Sequence, residues 1–341
     1  MLTRARVLLV FALIVVSLGL AAASLMIGTE TVSVHQAWAD WRAGMTRYES
    51  PSLSILINQR LPRTLAALIA GAGLALVGCG FQALLRNPLA TPYTLGVATA
   101  GSLGAYIAFV FELGGAFRVL GFSAVEASAL LFAWADMTVI YLLASRRARL
   151  SPFVLLLAGV TLSMLASSGI MLMRYFASPD RLVMMERWLM GGVDIVGYEA
   201  VVALAIGVTP CLLILLAQGG KLDQLGFGHE LAAGRGVNVP RLQAVTFLVG
   251  SLTTALIVSK VGPIGFVGLI VPHAVRTVTG SRHRVLMPVS LVAGGGFLCF
   301  CDIVARKALP GETPIGIVTA LLGGPFFLYL LTRRHFTDWQ A

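Results

Sequence analysis

Charge is what this 341-residue sequence has least of: 12% of its residues are Asp, Glu, Lys or Arg, against 57% hydrophobic. An ordinary soluble domain carries about twice that share of charge to keep its surface in water, so a soluble globular fold is excluded. Cysteine is scarce too. Cys79, Cys211, Cys299 and Cys301 fall inside apolar runs, away from the polar edges where disulfides and metal sites form, and read as small apolar fillers. The five histidines, His35, His229, His273, His283 and His335, have no ligand spacing. The phosphate-loop pattern GxxxxGK[ST] is missing, because Gly219-Gly220-Lys221 runs into Leu222. Any work driven by ATP therefore needs a second polypeptide. Nor is there a chain of buried acids of the kind a proton-coupled pump uses.

What the sequence has is apolar runs of about 20 residues, the length of a helix that crosses a bilayer. They fall at about 7–27, 61–85, 93–111, 119–144, 152–175, 198–217, 240–261, 264–279, 285–304 and 315–331. The expected class is an all-α polytopic membrane protein with about ten transmembrane helices, forming one domain over residues 1–341. The 37 glycines and 14 prolines agree, since both are commoner in such helices than in soluble ones. The first run follows Arg4 and Arg6 and ends at Ala21-Ala22-Ala23, which also fits a cleavable signal peptide. Its length and the many later spans favour a retained helix. Residues 28–58 are polar and carry Trp38 and Trp41, as in an amphipathic segment at the outer interface. Residues 178–196 read as an outer loop with a short helix at 181–190.

Ten spans put both termini on one side. On this map, fourteen of the 25 basic residues lie on the inner side: Arg4, Arg6, Arg86, Arg146, Arg147, Arg149, Lys221, Arg235, Arg241, Arg276, Arg282, Arg284, Arg333 and Arg334. Only Asp223, Glu230 and Asp338 oppose them there. By the positive-inside rule the termini are cytoplasmic. The basicity is then topological, and a nucleic-acid partner is not needed to explain it. A faint internal echo pairs Leu61-Pro62-Arg63 with Val239-Pro240-Arg241, five spans apart. An odd offset gives opposite topology, as in the inverted repeats of secondary transporters.

Between two long apolar stretches lies a polar interruption at residues 219–241, GGKLDQLGFGHELAAGRGVNVPR. Gly226 and Gly228 precede a short helix-capable piece at 229–233, and Gly234 and Gly236 follow it. A short helix fenced by glycines makes a compact knob, although an ordinary cytoplasmic loop would read the same way. Four ionisable residues lie within spans: Asp136, Arg174, Lys260 and Asp302. Most sit near span ends, where snorkelling relieves the cost of burial. Arg60 and Arg63, one helical turn apart, suit either snorkelling or a basic patch for an acidic partner, which Arg306 and Lys307 could join. Met164, Met171, Met173 and Arg174 suit either core filling or a wall that a bulky ligand slides past. Ser167-Ser168-Gly169 with His273 makes a poor intramembrane protease dyad, because Ser and Gly are routine at helix contacts.

Taken together, several stretches resemble the iron-chelate and cobalamin permease family, the membrane subunits of type II ABC importers. They are Arg60-Leu61-Pro62-Arg63-Thr64, Gln82-Ala83-Leu84-Leu85-Arg86-Asn87-Pro88-Leu89-Ala90 and Arg149-Leu150-Ser151 through Leu157-Ala158-Gly159-Val160. Gly262-Pro263-Ile264-Gly265-Phe266-Val267-Gly268-Leu269 with Pro272-His273, Ala305-Arg306, and Pro314-Ile315-Gly316 through Gly323-Gly324-Pro325-Phe326 complete the set. The resemblance implies the type II importer permease fold in a bacterial or archaeal inner membrane, and a homodimer around a central pathway. It implies two separate ATPase subunits that hold the ATP and Mg, no cofactor on this chain, and a periplasmic or lipoprotein binding protein that delivers substrate. Residues 219–241 become the cytoplasmic coupling segment, with Gly228, His229, Glu230, Ala232, Gly234, Arg235 and Gly236 seated in the ATPase. Arg60, Arg63 and Arg306 match the outer arginines that meet acids of the binding protein. Ser151 matches the region of the inner gate, with Met171 and Arg174 as further pathway candidates. Relatives often carry two acids in the coupling segment, where this chain has His229 before a single Glu230. The cargo implied is a bulky metal chelate (ferric siderophore, haem or cobalamin). The alternative is an ion-coupled secondary transporter with inverted repeats.

Overall fold

The computed structural model describes residues 4–28, 30, 32–46, 48–113, 118–119, 121–145, 150–308 and 312–332. The chain is helical along nearly all of that length: α1 (Arg4–Met26), α2 (Val34–Arg42), α3 (Pro51–Ser54), α4 (Leu61–Leu85), α5 (Val97–Val110), α6 (Ala124–Ala144), α7 (Pro152–Phe176), α8 (Pro179–Leu189), α9 (Glu199–Ala217), α10 (Gly219–Leu225), α11 (His229–Gly234), α12 (Val239–Val261), α13 (Val267–Thr279), α14 (His283–Lys307) and α15 (Ile315–Thr332). Among the described residues, seven helical stretches are long and apolar enough to cross a membrane, and Val97–Val110, Val267–Thr279 and Ile315–Tyr329 are shorter apolar ones. Arg146, Arg147, Arg149, Arg333, Arg334 and Asp338 of the inner-side map lie outside the described residues.

Two span starts differ most from the sequence expectation. The fourth begins at Ala124, not near 119, because Arg118–Val119 (β1) and Phe122–Ser123 (β2) pair as a small antiparallel hairpin. Ser123 then caps α6 in a capping box: its Oγ accepts from Glu126 N at 3.3 Å, and the Glu126 carboxylate accepts from Ser123 N at 2.7 Å. The second span starts earlier, at Pro51, since α3 continues through a π-helical stretch, Ile55–Arg60, into α4 as one rod of 35 residues. Pro62 explains the π stretch. It has no N–H for the Asn58 carbonyl four residues back, which accepts instead from Gly197 N at 2.8 Å. The neighbouring Ile57 carbonyl takes the Tyr198 hydroxyl at 2.8 Å. The proline thus frees two carbonyls that anchor the loop before α9.

Packing centres on α4, which touches α9, α12, α13 and α14. Small residues let these backbones approach, as expected where lipid offers no hydrophobic contrast. A Cβ on Gly71 would collide with the Gly294 carbonyl, and one on Gly78 with the Gly268 carbonyl. Between α12 and α13 the chain is irregular. At thirteen residues and about 1.5 Å each, α13 is about 20 Å long, too short for a hydrocarbon core of about 30 Å. Such a break is tolerated only inside protein. Here Gly192 N donates to the Val261 carbonyl at 2.8 Å, and the Tyr93 hydroxyl accepts from Ile264 N.

Candidate functional site

Two polar clusters stand at opposite ends of α14, a helix of 25 residues and so about 37 Å long. At its C-terminal end are Arg60, Arg63 and Arg306, which the sequence grouped as one patch, and the structure does bring them together. Their side chains, however, turn into the protein. Buried Arg60 donates to the Leu25 carbonyl at 3.2 Å, the Met26 carbonyl at 2.8 Å and the Glu30 carbonyl, closing off the end of α1. Arg306 is buried as well and reaches Asp302 at 2.6 Å, the Ser24 carbonyl at 3.1 Å and the Ser24 hydroxyl at 2.8 Å. Arg63 Nε meets the same Asp302 at 2.9 Å, and its NH1 faces the half-exposed Asp194 at 3.4 Å and Glu312 at 3.9 Å. Asp302 is the hinge of this cluster, completely buried between two guanidinium groups. The sequence flagged it as an intramembrane charge but did not connect it to the arginines; an acid one turn before Arg306 was the available signal. A cavity of about 150 Å³ opens over the cluster, with Arg63, Asp194 and Glu312 on its wall.

At the N-terminal end of α14 lies the 219–241 segment, and it contains two helices rather than the single one expected. Residues 219–225, read as loop, form α10, whose Leu222 and Leu225 are buried. Next, α11 rises from Gly228, which has φ 122° and ψ 152°, a conformation closed to side chains. Gly236 closes the knob at φ 81°. Ala232 alone of α11 is buried, while Glu230, Leu231, Gly234, Arg235 and Gly236 are exposed and His229 is half-buried. Arg235 donates to Gln224 at 3.1 Å and stacks over Phe227 at 5.2 Å. Phe227 and Leu231, both large and exposed, were missed by the sequence reading because apolar residues in a short loop have no periodicity to stand out against.

One tie between these helices and the transmembrane body joins α10 to α14. Asp223 Oδ1 accepts from His283 N at 2.5 Å and contacts the His283 ring Nδ1 at 3.0 Å, so α10 caps the start of α14. Burial by itself would raise the Asp223 pKa, but the His283 hydrogen bonds outweigh it and hold it below the usual carboxylate value. A lowered folded pKa means this tie is whole above the unfolded carboxylate pKa of about 3.9 and is lost as pH falls through the lowered value. Asp223→Asn is therefore expected to shrink the acid-induced drop in Tm between pH 6 and pH 3. An unchanged acid profile in the variant would show that the tie carries no pH-dependent stability.

The pathway candidates are not gathered. Ser151 caps α7, its Oγ accepting from Val154 N at 3.4 Å, whereas Arg174 is in the last turn of the same helix and pairs with Glu186 of α8. Met164 and Met171 are exposed on α7. Of the protease pair, the Ser168 hydroxyl donates to the Met164 carbonyl of its own helix at 3.0 Å, and His273 lies edge-on to Phe326 with ring centres 6.0 Å apart. The four cysteines are buried free thiols. Among the described residues, no group of three His, Cys, Asp or Glu side chains is placed to hold a metal.

Comparison with known proteins places these features in a family context. The FecCD transport family matches residues 11–333. The vitamin B12 import system permease protein BtuC of Vibrio cholerae is 36% identical over 297 residues, covering 86% of this chain and 88% of that one. The ferric enterobactin transport system permease protein FepD of Escherichia coli is also 36% identical, over 298 residues and 84% of each chain. A solved inward-facing conformation of a metal-chelate type ABC transporter superposes with TM-score 0.79 at 32% identity, over 96% of this chain and 99% of that one.

Proposed function

The chain belongs to the FecCD transport family as a multi-pass permease subunit of a metal-chelate ABC importer, and from that premise we propose that it carries a bulky chelate inward as a homodimer. The cargo is a ferric siderophore, haem or cobalamin. Ten spans leave both termini in the cytoplasm, two separate ATP-binding-cassette subunits bind the α10–α11 side, and a substrate-binding protein docks over Arg63. Identity of 36% to both a cobalamin and a ferric-enterobactin permease leaves the choice of chelate to experiment.

The observation that carries this reading is the exposed knob. Phe227 and Leu231 stand out from a segment whose Leu222, Leu225 and Ala232 are buried. An apolar projection of this kind outside the spans suits a cleft in a partner. When the ATPase dimer closes on ATP, force on the knob passes through Asp223 to the start of α14. With α14 packed along α4, its movement shifts the helices on both sides of the pathway. Exposed Met164 and Met171 then line that pathway once a second copy supplies the facing wall.

Proteoliposomes holding the permease with its ATPase, with ATP trapped inside, test the reading directly. Labelled haem, cobalamin or a ferric siderophore is offered with its binding protein, and ATP-dependent uptake of one of them is expected. Uptake that ignores ATP and follows an ion gradient would instead establish the secondary transporter. A narrower test concerns Arg63. Acids of the binding protein compete with half-exposed Asp194 and Glu312 for its NH1, so Arg63→Gln is expected to weaken docking about tenfold at low salt while basal ATP hydrolysis persists. Glutamate is the wrong substitution there, because it would face buried Asp302. Unchanged docking of Arg63→Gln would remove the patch from the mechanism.

A further inference from the structure

Between the end of α4, α10 and the turn from α13 to α14 lies a cavity of about 850 Å³, with Phe227 at the base of the knob on its wall. Its wall is strongly basic: Arg86, Arg276, Arg282, His283 and Arg284 line it, with Asp223 as the only carboxylate among the described residues. That carboxylate is already engaged by the His283 backbone and ring. The arginines are held from three directions. Arg86 follows α4 in a left-handed conformation and donates to the Leu225 carbonyl at 2.8 Å, reaching across to α10. Arg276 donates to Gln82 at 3.3 Å. Arg284 lies over Gly220, where a Cβ would come within 2.6 Å of its Nε, so the glycine makes room for the guanidinium.

His283 supplies a second, independent observation. The residue is 7% exposed, and its Nε2 has no hydrogen-bond partner among the described residues. A buried ring nitrogen without a partner is costly. Its other nitrogen is fixed by Asp223, so Nε2 is free to donate to an anion when the ring is charged, or to accept from a phosphate O–H when it is neutral.

We propose that this cavity is a phosphate-group site, filled by the headgroup of an anionic phospholipid or by a soluble phosphate. Guanidinium groups on several sides match the tetrahedral arrangement of phosphate oxygens, and basic pockets of this kind between helices suit anionic headgroups on the cytoplasmic leaflet. The volume exceeds that of a bare phosphate and leaves room for a glycerophosphate. An occupant bridges α10 and the α13–α14 turn, the same two parts that Asp223 ties. It therefore braces the segment proposed to receive force from the ATPase, and to that extent the mechanistic role rests on the transport reading. The binding itself does not.

Binding is tested on the full permease, delipidated in neutral detergent, with no ATPase or cargo present. Inorganic phosphate, phosphatidylglycerol and phosphatidylcholine are titrated in turn, reading Tm and phosphorus NMR line width. Wild type is expected to gain Tm with phosphatidylglycerol, and Arg282→Gln with Arg284→Gln to weaken that response at least tenfold. Ser281→Glu, an exposed change at the cavity mouth, is expected to weaken it similarly while leaving the ligand-free Tm unchanged. It keeps the test valid if the double arginine variant does not fold. Saturation by phosphatidylglycerol with no competition from phosphate supports the headgroup, and equal competition supports a soluble phosphate. Two results overturn the site: no response to either anionic probe, or an equal response to phosphatidylcholine or in Ser281→Glu. The first would leave the basic wall to a carboxylate of the ATPase partner.

Discussion

Asp302→Ala is expected to destabilise the permease by about 3–5 kcal/mol, the usual cost of removing one partner from a buried ion pair. At about 1.4 kcal/mol per factor of ten, the ratio of folded to unfolded protein falls by roughly two to three and a half orders of magnitude. The expected cost is high because Asp302 serves two cations at once. It is fully buried, 2.9 Å from Arg63 and 2.6 Å from Arg306, and the Ser24 hydroxyl lies 3.5 Å away. Alanine strands Arg306, whose remaining acceptors are the carbonyl and hydroxyl of Ser24 and the position-302 carbonyl. Neutral acceptors do not balance a buried charge. The effect extends to α1, which is held at its end by Arg60 and Arg306 and otherwise lies largely exposed. Unfolding in detergent micelles, followed by tryptophan fluorescence, measures it. Asp302→Leu combined with Arg306→Met should recover part of the loss by removing both charges. A single variant within about 1 kcal/mol of wild type would show that the cluster is solvated and not the structural lock described here.

Ala232→Pro is expected to cut chelate uptake at least tenfold while ATP hydrolysis by the partner continues. Ala232 donates its N–H to the Gly228 carbonyl at 3.0 Å, and its own carbonyl accepts from Val237 N at 3.1 Å and Arg235 N at 3.2 Å. Proline removes the first bond and crowds the preceding turn, at about 3 kcal/mol in a helix interior. A six-residue helix has no neighbouring turns to absorb that, so α11 should lose its shape. The spans should survive, because α11 meets the body through Ala232 and through contacts with α10 and α12 alone. Gly228→Ala is the milder companion. Nothing lies within 4 Å of the added Cβ, so its effect is backbone strain of about 1–3 kcal/mol at φ 122°. Uptake should rank wild type above Gly228→Ala and both above Ala232→Pro. Normal uptake in the proline variant, at normal expression, would take the knob out of the mechanism.

Much of this was legible in the sequence. The apolar runs located α7, α9, α12 and α15 to within a residue or two, since about 20 apolar residues in a row have one stable form in a membrane. The glycine fence around residues 229–233 located α11, since φ 122° at position 228 admits little else. The motifs of the family were present in order along most of the chain. What could not be read was which way each helix faces. In water an apolar stripe marks the buried side of a helix, but in a membrane the lipid side is apolar too. The most apolar windows of Pro51–Leu85 and Pro152–Phe176 have the same mean hydropathy, 2.0, yet 83% of the first is buried and 22% of the second. The same ambiguity hid the direction of Arg60 and Arg63, which spacing placed on one face without saying that the face looks inward. Only the tertiary structure decided that Asp302 sits between Arg63 and Arg306, and that Asp223 reaches His283 sixty residues away. The Arg63–Asp302 and Asp223–His283 pairs join helices distant in sequence, and no local periodicity encodes a partner on another helix.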